Sequence, residues 1–492
     1  MVGNQDRWCE DIFVACPLRD LVPDDHVLKR VDRVLDLSWL RDELADCYCS
    51  DNGRPSIDPE AALRLMLAGF FAGIVHDRKL MREAQVNLAM RWFAGYRLHE
   101  QLPDHSSLTR IRQRWGEERF KRIFQRTVAA CRKAGLVDGE TVHIDATLIR
   151  ADVSWESLVK DHTEQVLAEN TAEADSDGRQ TTAVGRRGRP RKHQRQPKKR
   201  SRTDPEATMA TANHQYRMEP CFKQHTAVDD RNGVVVDVAV TTGESSEGTQ
   251  LMEQLERIKA NTGCEPKTIT ADAGYAHPRN YDELEKRKIE AVIVPQRESG
   301  VARKLPARRF KYDARHGLVR CPNGKALHSG KEKDDGSRIY QSRRCDCRNC
   351  PLRERCLPSS SLHRTIRIVH GYEALLRARR SKARGWDART RELYDRHRWR
   401  AEGKHGEAKT THGLRRAVRR GRWNVAIQAY LTAAVMNLKC LAALLLVLLM
   451  WLLRGRQQAS WSQCQPRSNA GFSTAPQAPY FGKPREIKLT YS

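Results

Sequence analysis

The sequence predicts an α+β chain: an all-helical N-terminal domain, then a mixed sheet flanked by helices and interrupted by a Cys-rich insertion. Three observations carry that expectation. Apolar residues recur at helical spacing between residues 56 and 135. The pattern then alternates between strand-like runs and helical stretches, as a mixed sheet requires. Five cysteines gather between about residues 300 and 385 and break the alternation.

Taken in order, SIDPEAALRLMLAGFFAGI places Ser56 ahead of an acidic first turn and predicts the first well-marked helix. Residues 79–94 continue as a second. Residues 104–115 (DHSSLTRIRQRW) read as a helix capped by Ser106 or Ser107 and bearing Arg110, Arg112 and Arg114. Helices joined by short turns, one of them Arg-rich, fit a helix-turn-helix DNA reader, and a plain bundle with a solvated basic face fits as well.

Residues 140–152 (ETVHIDATLIRAD) are strand-like, with Val142 and Ile144 ahead of Asp145. Residues 222–230 and 233–242 form two β-rich runs around Asp-Arg-Asn-Gly, a hairpin signal. Residues 247–260 are an amphipathic helix, and residues 267–275 (KTITADAGY) a strand with Asp272 towards its end. NYDELEKRK is helical and IEAVIVP is a fifth strand. A long helical stretch, residues 389–411, carries Glu402 and Glu407. These elements divide the chain into a helical DNA-binding domain (1–135), a first part of the sheet domain (136–300) with a disordered basic linker (173–215), the Cys-rich insertion (301–385), a helical return to the sheet domain (386–453) and a disordered tail (454–492).

Composition narrows the function. In 492 residues, 39% hydrophobic and 30% charged content excludes a polytopic membrane protein and full-length disorder. Lys and Arg exceed Asp and Glu by 88 − 61 = 27, so a polyanion is the partner to expect. The opening MVGNQDRWCEDIF has no secretory leader, which favours a reducing cytoplasmic interior. The apolar run 440–453 has 14 residues, short of the roughly 20 that span a bilayer, and is read as a buried C-terminal helix with no membrane partner.

Residues 181–203 hold ten Lys or Arg and no acid. Within them the Arg-Gly-Arg-Pro core resembles an AT-hook, whose Arg187, Arg189 and Arg191 would enter a narrow A·T minor groove; a solvated linker gripping phosphates is the alternative. Cys321, Cys345, Cys347, Cys350 and Cys356 could supply four thiolates to a structural zinc, although the run lacks two clean Cys-x2-Cys halves and free cysteines are ordinary.

The chemistry lies in the acids. Asp145 ends one apolar strand core, and Asp272 closes another 127 positions on. Hard divalent cations need carboxylates that converge from separate rigid elements, and two such ions can serve an in-line displacement at phosphorus. Glu402 and Glu407 differ by five positions, about 140° on a helix. Arg398, Glu402 and Lys409 fall within about 60° of one face, which selects Glu402 as the third acid. His143 shares a strand face with Asp145 and reads as a core histidine. Asp152, Asp204, Asp229 and Asp230 read as turn or hairpin residues.

These residues resemble those of bacterial insertion-sequence transposases of the DDE class, which have a ribonuclease-H-like catalytic domain. The likeness rests on His143-Ile144-Asp145-Ala146-Thr147, Thr203-Asp204-Pro205-Glu206-Ala207, Thr270-Ala271-Asp272-Ala273-Gly274-Tyr275 and Arg398-x3-Glu402-x6-Lys409. The stretch 414–421 and Ala433-x3-Asn437-Leu438-Lys439 complete it, so that residues 50–450 are covered. Related families place a Tyr three residues before the Arg; here Asp395 stands there, beside Tyr394. The resemblance implies catalysis by Asp145, Asp272 and Glu402 with two Mg²⁺ or Mn²⁺ ions, and phosphate clamps at Arg398 and Lys409. It implies cleavage at element ends, joining of the 3′-OH to target DNA, and a homodimeric assembly in the bacterial nucleoid. A catalytically inactive DNA-binding relic and a nuclease without strand transfer are the rival readings.

Overall fold

The computed structural model describes residues 16–49, 56–160, 199–211, 217–296, 305–333 and 336–463. In its N-terminal part α1 (Val27–Asp32) and α2 (Leu40–Glu43) bury Leu28, Val31 and Leu40. α3 (Pro59–Phe71) starts later than Ser56 suggests, because Asp58 accepts the Glu60 amide at 2.7 Å and Pro59, with no amide hydrogen to lose, suits the first turn. The single helix expected over residues 79–94 is two, α4 (Asp77–Val86) and α5 (Leu88–Ala94). Asn87 leaves helical geometry between them and accepts the Met90 amide with its side chain. α6 (His105–Lys133) is capped by Asp104 in place of a serine, its carboxylate accepting from Ser106 at 2.8 Å. It breaks at Gly116, whose φ of 71° is open to glycine at little cost.

β1 (Thr141–Arg150) begins the main sheet. β2 (Leu158–Lys160) and β3 (Lys199–Ser201) pair with each other, while β4 (Thr208–Ala210) joins the main sheet. The expected linker 173–215 is therefore ordered at its end: Ser201, Asp204 and Ala207 are buried, which gives this stretch contacts that a free basic segment lacks. The rest of that linker, with Arg187, Arg189 and Arg191, lies outside the described residues.

The hairpin β5 (Glu219–Asp229) and β6 (Val235–Thr242) follows, then α7 (Glu247–Thr262), β7 (Thr268–Ala271), α8 (Pro278–Lys286) and β8 (Glu290–Ile293). The strand order is β6-β5-β1-β7-β8. β5 is antiparallel to β1 and β6, whereas β7 runs parallel to β1 and β8. The central strand β1 thus has a partner on both edges along its first half.

A second, five-stranded antiparallel sheet comprises β9 (Lys311–Asp313), β10 (Leu318–Arg320), β11 (Ala326–Glu332), β12 (Arg338–Gln341) and β13 (Thr365–Ile368). Between its last two strands lie the short helices α9 (Arg344–Arg348) and α10 (Arg353–Cys356). Among the described residues its buried core cluster is eight side chains, including Phe310, Val319, Tyr340 and Ile366. α11 (Tyr372–Arg384) leads back to the main sheet, where Arg377 pairs with Glu285 of α8.

α12 (Ala388–His397), a π-helical turn over Arg398–Glu402 and α13 (Gly403–Thr410) form one rod, close to the expected 389–411. Leu393, His397, Ala401, His405 and Ala408 are its buried side. The segment after it stitches the molecule together. His412 Nδ1 lies 2.8 Å from the Phe70 carbonyl, Arg150 donates its amide to Arg415 at 3.2 Å, and Ala417 donates to Arg150 at 2.7 Å.

The last helix, α14 (Arg422–Gln463), is entered from the Asp204 turn: Asp204 accepts from Gly421 at 3.2 Å and Glu206 from Arg422 at 2.8 Å. Its buried Asn437 exchanges two hydrogen bonds with the Val235 backbone, both 2.9 Å, and donates to Thr127 at 3.2 Å. The tail reading fails for residues 454–463, which continue this helix; no proline stops the run RGRQQASWSQ. Residues 464–492 lie outside the described residues. Arg422–Val447 is long and apolar enough to cross a membrane, yet 61% of its most apolar window is buried within the fold. Leu441 and Ala442 are buried, while Leu446 and Val447 are exposed, so the apolar run is a core helix only over its first residues. Residues up to Leu444 form one compact unit and those from Leu445 a second.

Candidate active site

Strand register places the first two acids. His143 of β1 is level with Thr270 of β7, and Ile144 with Ala271, so Asp145 and Asp272 come level one step later. Neighbouring strands are about 4.8 Å apart and alternate residues share a face. His143 Nδ1 and Thr270 Oγ1 are 2.6 Å apart on this face, which puts the carboxylates two positions on toward the same side. The α12–α13 rod covers it: His397 Nδ1 lies 2.8 Å from Thr270 Oγ1, and His405 Nδ1 3.3 Å from Asp145 Oδ2.

The surroundings shift the two acids in opposite directions. Burial opposes ionisation of Asp145, but His405, followed by His397, outweighs it and holds the carboxyl below its usual range. Asp272 is pushed up to about 6 by burial, then by the negative charges of Glu247 and Asp145, although the Gly274 amide donates to it at 2.8 Å. Glu247 is the acid sequence reading missed. It stands in the first turn of α7, paired with Lys223 at 3.0 Å, and its carboxylate occupies the space that a Cβ at Gly274 would need. No spacing motif marks it; only the folding of α7 over the end of β7 brings it to Asp272.

Glu402 is exposed, on the outer side of the π turn, with Arg398 3.6 Å away. Burial, and then the negative charges of Asp272, Glu402 and Asp145, push the Tyr394 phenol up; its ring stacks on His397 with centroids 6.0 Å apart. Glu407 points elsewhere, held by Lys439 at 2.5 Å, Lys404 at 3.2 Å and His412 at 3.5 Å. The single-face arrangement expected for Arg398, Glu402 and Lys409 does not hold. The π turn adds a residue to one helical turn and rotates the halves of the rod, leaving Arg398 and Glu402 in solvent while Lys409 is half-buried and senses Asp145. Among the described residues no three His, Cys, Asp or Glu side chains are gathered tightly enough to hold a metal ion.

His143 is a core histidine, fully buried between Thr270 and Asp230, the latter at 3.0 Å. Asp229 accepts from the Gly139 and Arg231 amides, and Asp152 pairs with Arg416 at 3.0 Å. Among the helical-domain arginines, Arg110 and Arg114 are exposed. Arg112 is a correction: it is 3% exposed and makes two 2.7 Å bonds to Asp77, which Arg419 also binds, so its charge is consumed inside the protein. Beyond the end of β1, a cleft of about 250 Å³ is lined by Arg150, Trp155, Arg415 and Arg416. Of the cysteines, Cys321, Cys347, Cys350 and Cys356 line one small cavity, while Cys345 is exposed outside it.

Two family models match the chain. Residues 17–114 match a transposase domain (DUF772), and residues 320–442 a transposase DDE domain, which spans the Cys-rich segment and Glu402. No curated protein matches. Among solved structures, a piggyBac transposase synaptic complex with hairpin DNA is 10% identical with a TM-score of 0.33, covering 87% of this chain and 74% of that one. A Mos1 transposase paired-end complex with the left transposon end is 11% identical with a TM-score of 0.15, covering 52% and 65%. The Mos1 strand transfer complex is 12% identical with the same TM-score, covering 52% and 64%. Superpositions this loose carry no detail of the site.

Proposed function

We propose that this chain, which belongs to the DDE transposases by the two domain families it matches, cuts DNA at the ends of a mobile element and joins the freed 3′-OH ends to target DNA. The observation that supports this reading best is the β1–β7 register, which sets Asp145 and Asp272 side by side with Glu247 against the second. The strand order, with an antiparallel triplet followed by two parallel strands, supports a ribonuclease-H-like reading of the sheet. Within this reading residues 1–135 bind DNA, and the sheet with the α12–α13 rod carries the reaction.

Mg²⁺ or Mn²⁺ fits the donor set. The groups are carboxylate oxygens, hard ligands on rigid elements, and the mutual repulsion felt by Asp272 is what a divalent cation would relieve. Two such ions, when bound, would stabilise the attacking and leaving oxygens of an in-line displacement. The protein's own groups then have distinct tasks. His405 orients Asp145 and keeps it ionised; the Gly274 amide fixes Asp272; Glu402, now on the exposed side of the π turn, would have to turn inward to complete the trio. Lys409, half-buried and within reach of the Asp145 charge, would hold a phosphate oxygen. Arg398 would do so only after leaving Glu402.

The excess of 27 positive charges and the arginine-lined cleft beyond β1 favour double-stranded DNA as the partner. Arg187, Arg189 and Arg191 would add minor-groove contacts, and the need to hold two element ends makes a homodimer the assembly to test. A labelled, pre-cleaved element end incubated with plasmid and Mg²⁺ should yield joined products. A protein that cuts end DNA but gives no joined product is a nuclease; one that binds and does neither is a relic.

A further inference from the structure

The Cys-rich segment raises a stability problem separate from the reaction. Among the described residues its buried core is eight side chains, a small apolar reserve for a five-stranded sheet with irregular connections. Small units of this kind are commonly stapled by disulfides or a metal. The cysteines here are all free thiols.

Four of them surround a single cavity of about 30 Å³, near the size of one water or one ion: Cys321, Cys347, Cys350 and Cys356. They come from three short segments. Cys321 opens a tight turn in which its carbonyl accepts the Gly324 amide and its amide donates to Lys325, both at 2.9 Å, with Gly324 at φ 77°. Cys347 lies in the last turn of α9 and Cys350 just beyond it, and Cys356 ends α10. Two sulfurs already have polar neighbours: Asn323 Nδ2 donates to Cys350 Sγ at 3.6 Å, and Ser342 Oγ lies 3.0 Å from Cys347 Sγ. Cations surround the cluster. Arg353 donates to the Cys347 carbonyl and the buried Arg364 to that of Cys356, both at 3.3 Å. Four thiolates around a divalent ion carry net negative charge, which these guanidiniums offset.

We propose that these four cysteines, which line one cavity without yet forming a closed ligand set, are drawn together around a structural Zn²⁺ held by Cys321, Cys347, Cys350 and Cys356, with Cys345 excluded. The cavity between them is the space the ion would take up. Zinc suits four sulfur donors in a closed tetrahedral site, and its role would be to staple α9 and α10 to the β10–β11 turn.

The test uses the full chain purified without chelator. Zinc measured by plasma mass spectrometry is expected at about one ion per chain. Cys350→Ser should lower it at least tenfold, and Cys345→Ser should leave it unchanged. Because a ligand variant can misfold, wild-type protein is also loaded with Co²⁺, which should give the intense visible bands of tetrahedral thiolate coordination. Wild type without zinc and without those bands overturns the proposal. So does equal zinc loss in the Cys345 and Cys350 variants, or a thiol count showing these cysteines oxidised in pairs.

Discussion

At the scale of single residues, two glutamates five positions apart separate catalysis from stability. Glu407 is tied to Lys404, Lys439 and His412, whereas Glu402 is exposed with one loose partner. Glu402→Gln should therefore reduce end cleavage by about 100-fold or more while leaving thermal unfolding unchanged, and Glu407→Gln should lower the unfolding midpoint. Arg112→Ala leaves the buried Asp77 with Arg419 and the Thr109 hydroxyl and should cost about 3 kcal/mol by denaturant unfolding. Asp229 supplies a pH test. Burial, with Asp138 adding repulsion, raises its carboxyl from 3.8 to about 6. The folded state thus holds this proton more tightly than the unfolded chain. The contribution to stability is full below pH 3.8 and is lost as pH rises through 6, by at most about 3 kcal/mol. Asp229→Asn, which cannot ionise but keeps an acceptor oxygen for only one of the two amides, should lower stability at every pH and remove that part of the pH dependence; a stability curve of unaltered shape would contradict it.

At the scale of elements, order and type could be read from the sequence, but junctions could not. Strand, hairpin, helix, strand, helix, strand matches β1, β5–β6, α7, β7, α8 and β8, because each half-buried element repeats its apolar residues at its own period. The errors fall where one side chain decides the backbone: Asn87 splitting α4 from α5, and Asp58 and Asp104 capping where serines were available. The π turn is the costliest, since a wheel at 100° per residue cannot anticipate an added residue, and it separated Lys409 from the face of Arg398 and Glu402. Glu247 was illegible because nothing local distinguishes it from a helix-start acid. Asn437 carries an element-level prediction. It joins α14 to β6 and α6 through three buried hydrogen bonds, so Asn437→Ala should destabilise the protein by roughly 2–4 kcal/mol.

At the scale of the whole molecule, charge and connectivity govern. A chain with an excess of 27 positive charges should bind DNA with an affinity that falls steeply with salt. Deleting residues 181–198, which stops short of β3, should flatten the log–log slope by about 0.9 for each phosphate that this segment neutralises, and an unchanged slope would mean that it touches no DNA. The 411–421 segment links the N-terminal helices to β1 and leads into α14, so the candidate site is braced by parts of the chain hundreds of residues apart. The central claim is that Asp145, Asp272 and Glu402 act together on DNA. The most direct measurement is the Mg²⁺-dependent cleavage rate of end-containing DNA by wild type and by Asp145→Asn, Asp272→Asn and Glu402→Gln, each matched for thermal stability. All three variants should fall to the chelator-treated background. A Glu402→Gln protein that cleaves at the wild-type rate would contradict the account.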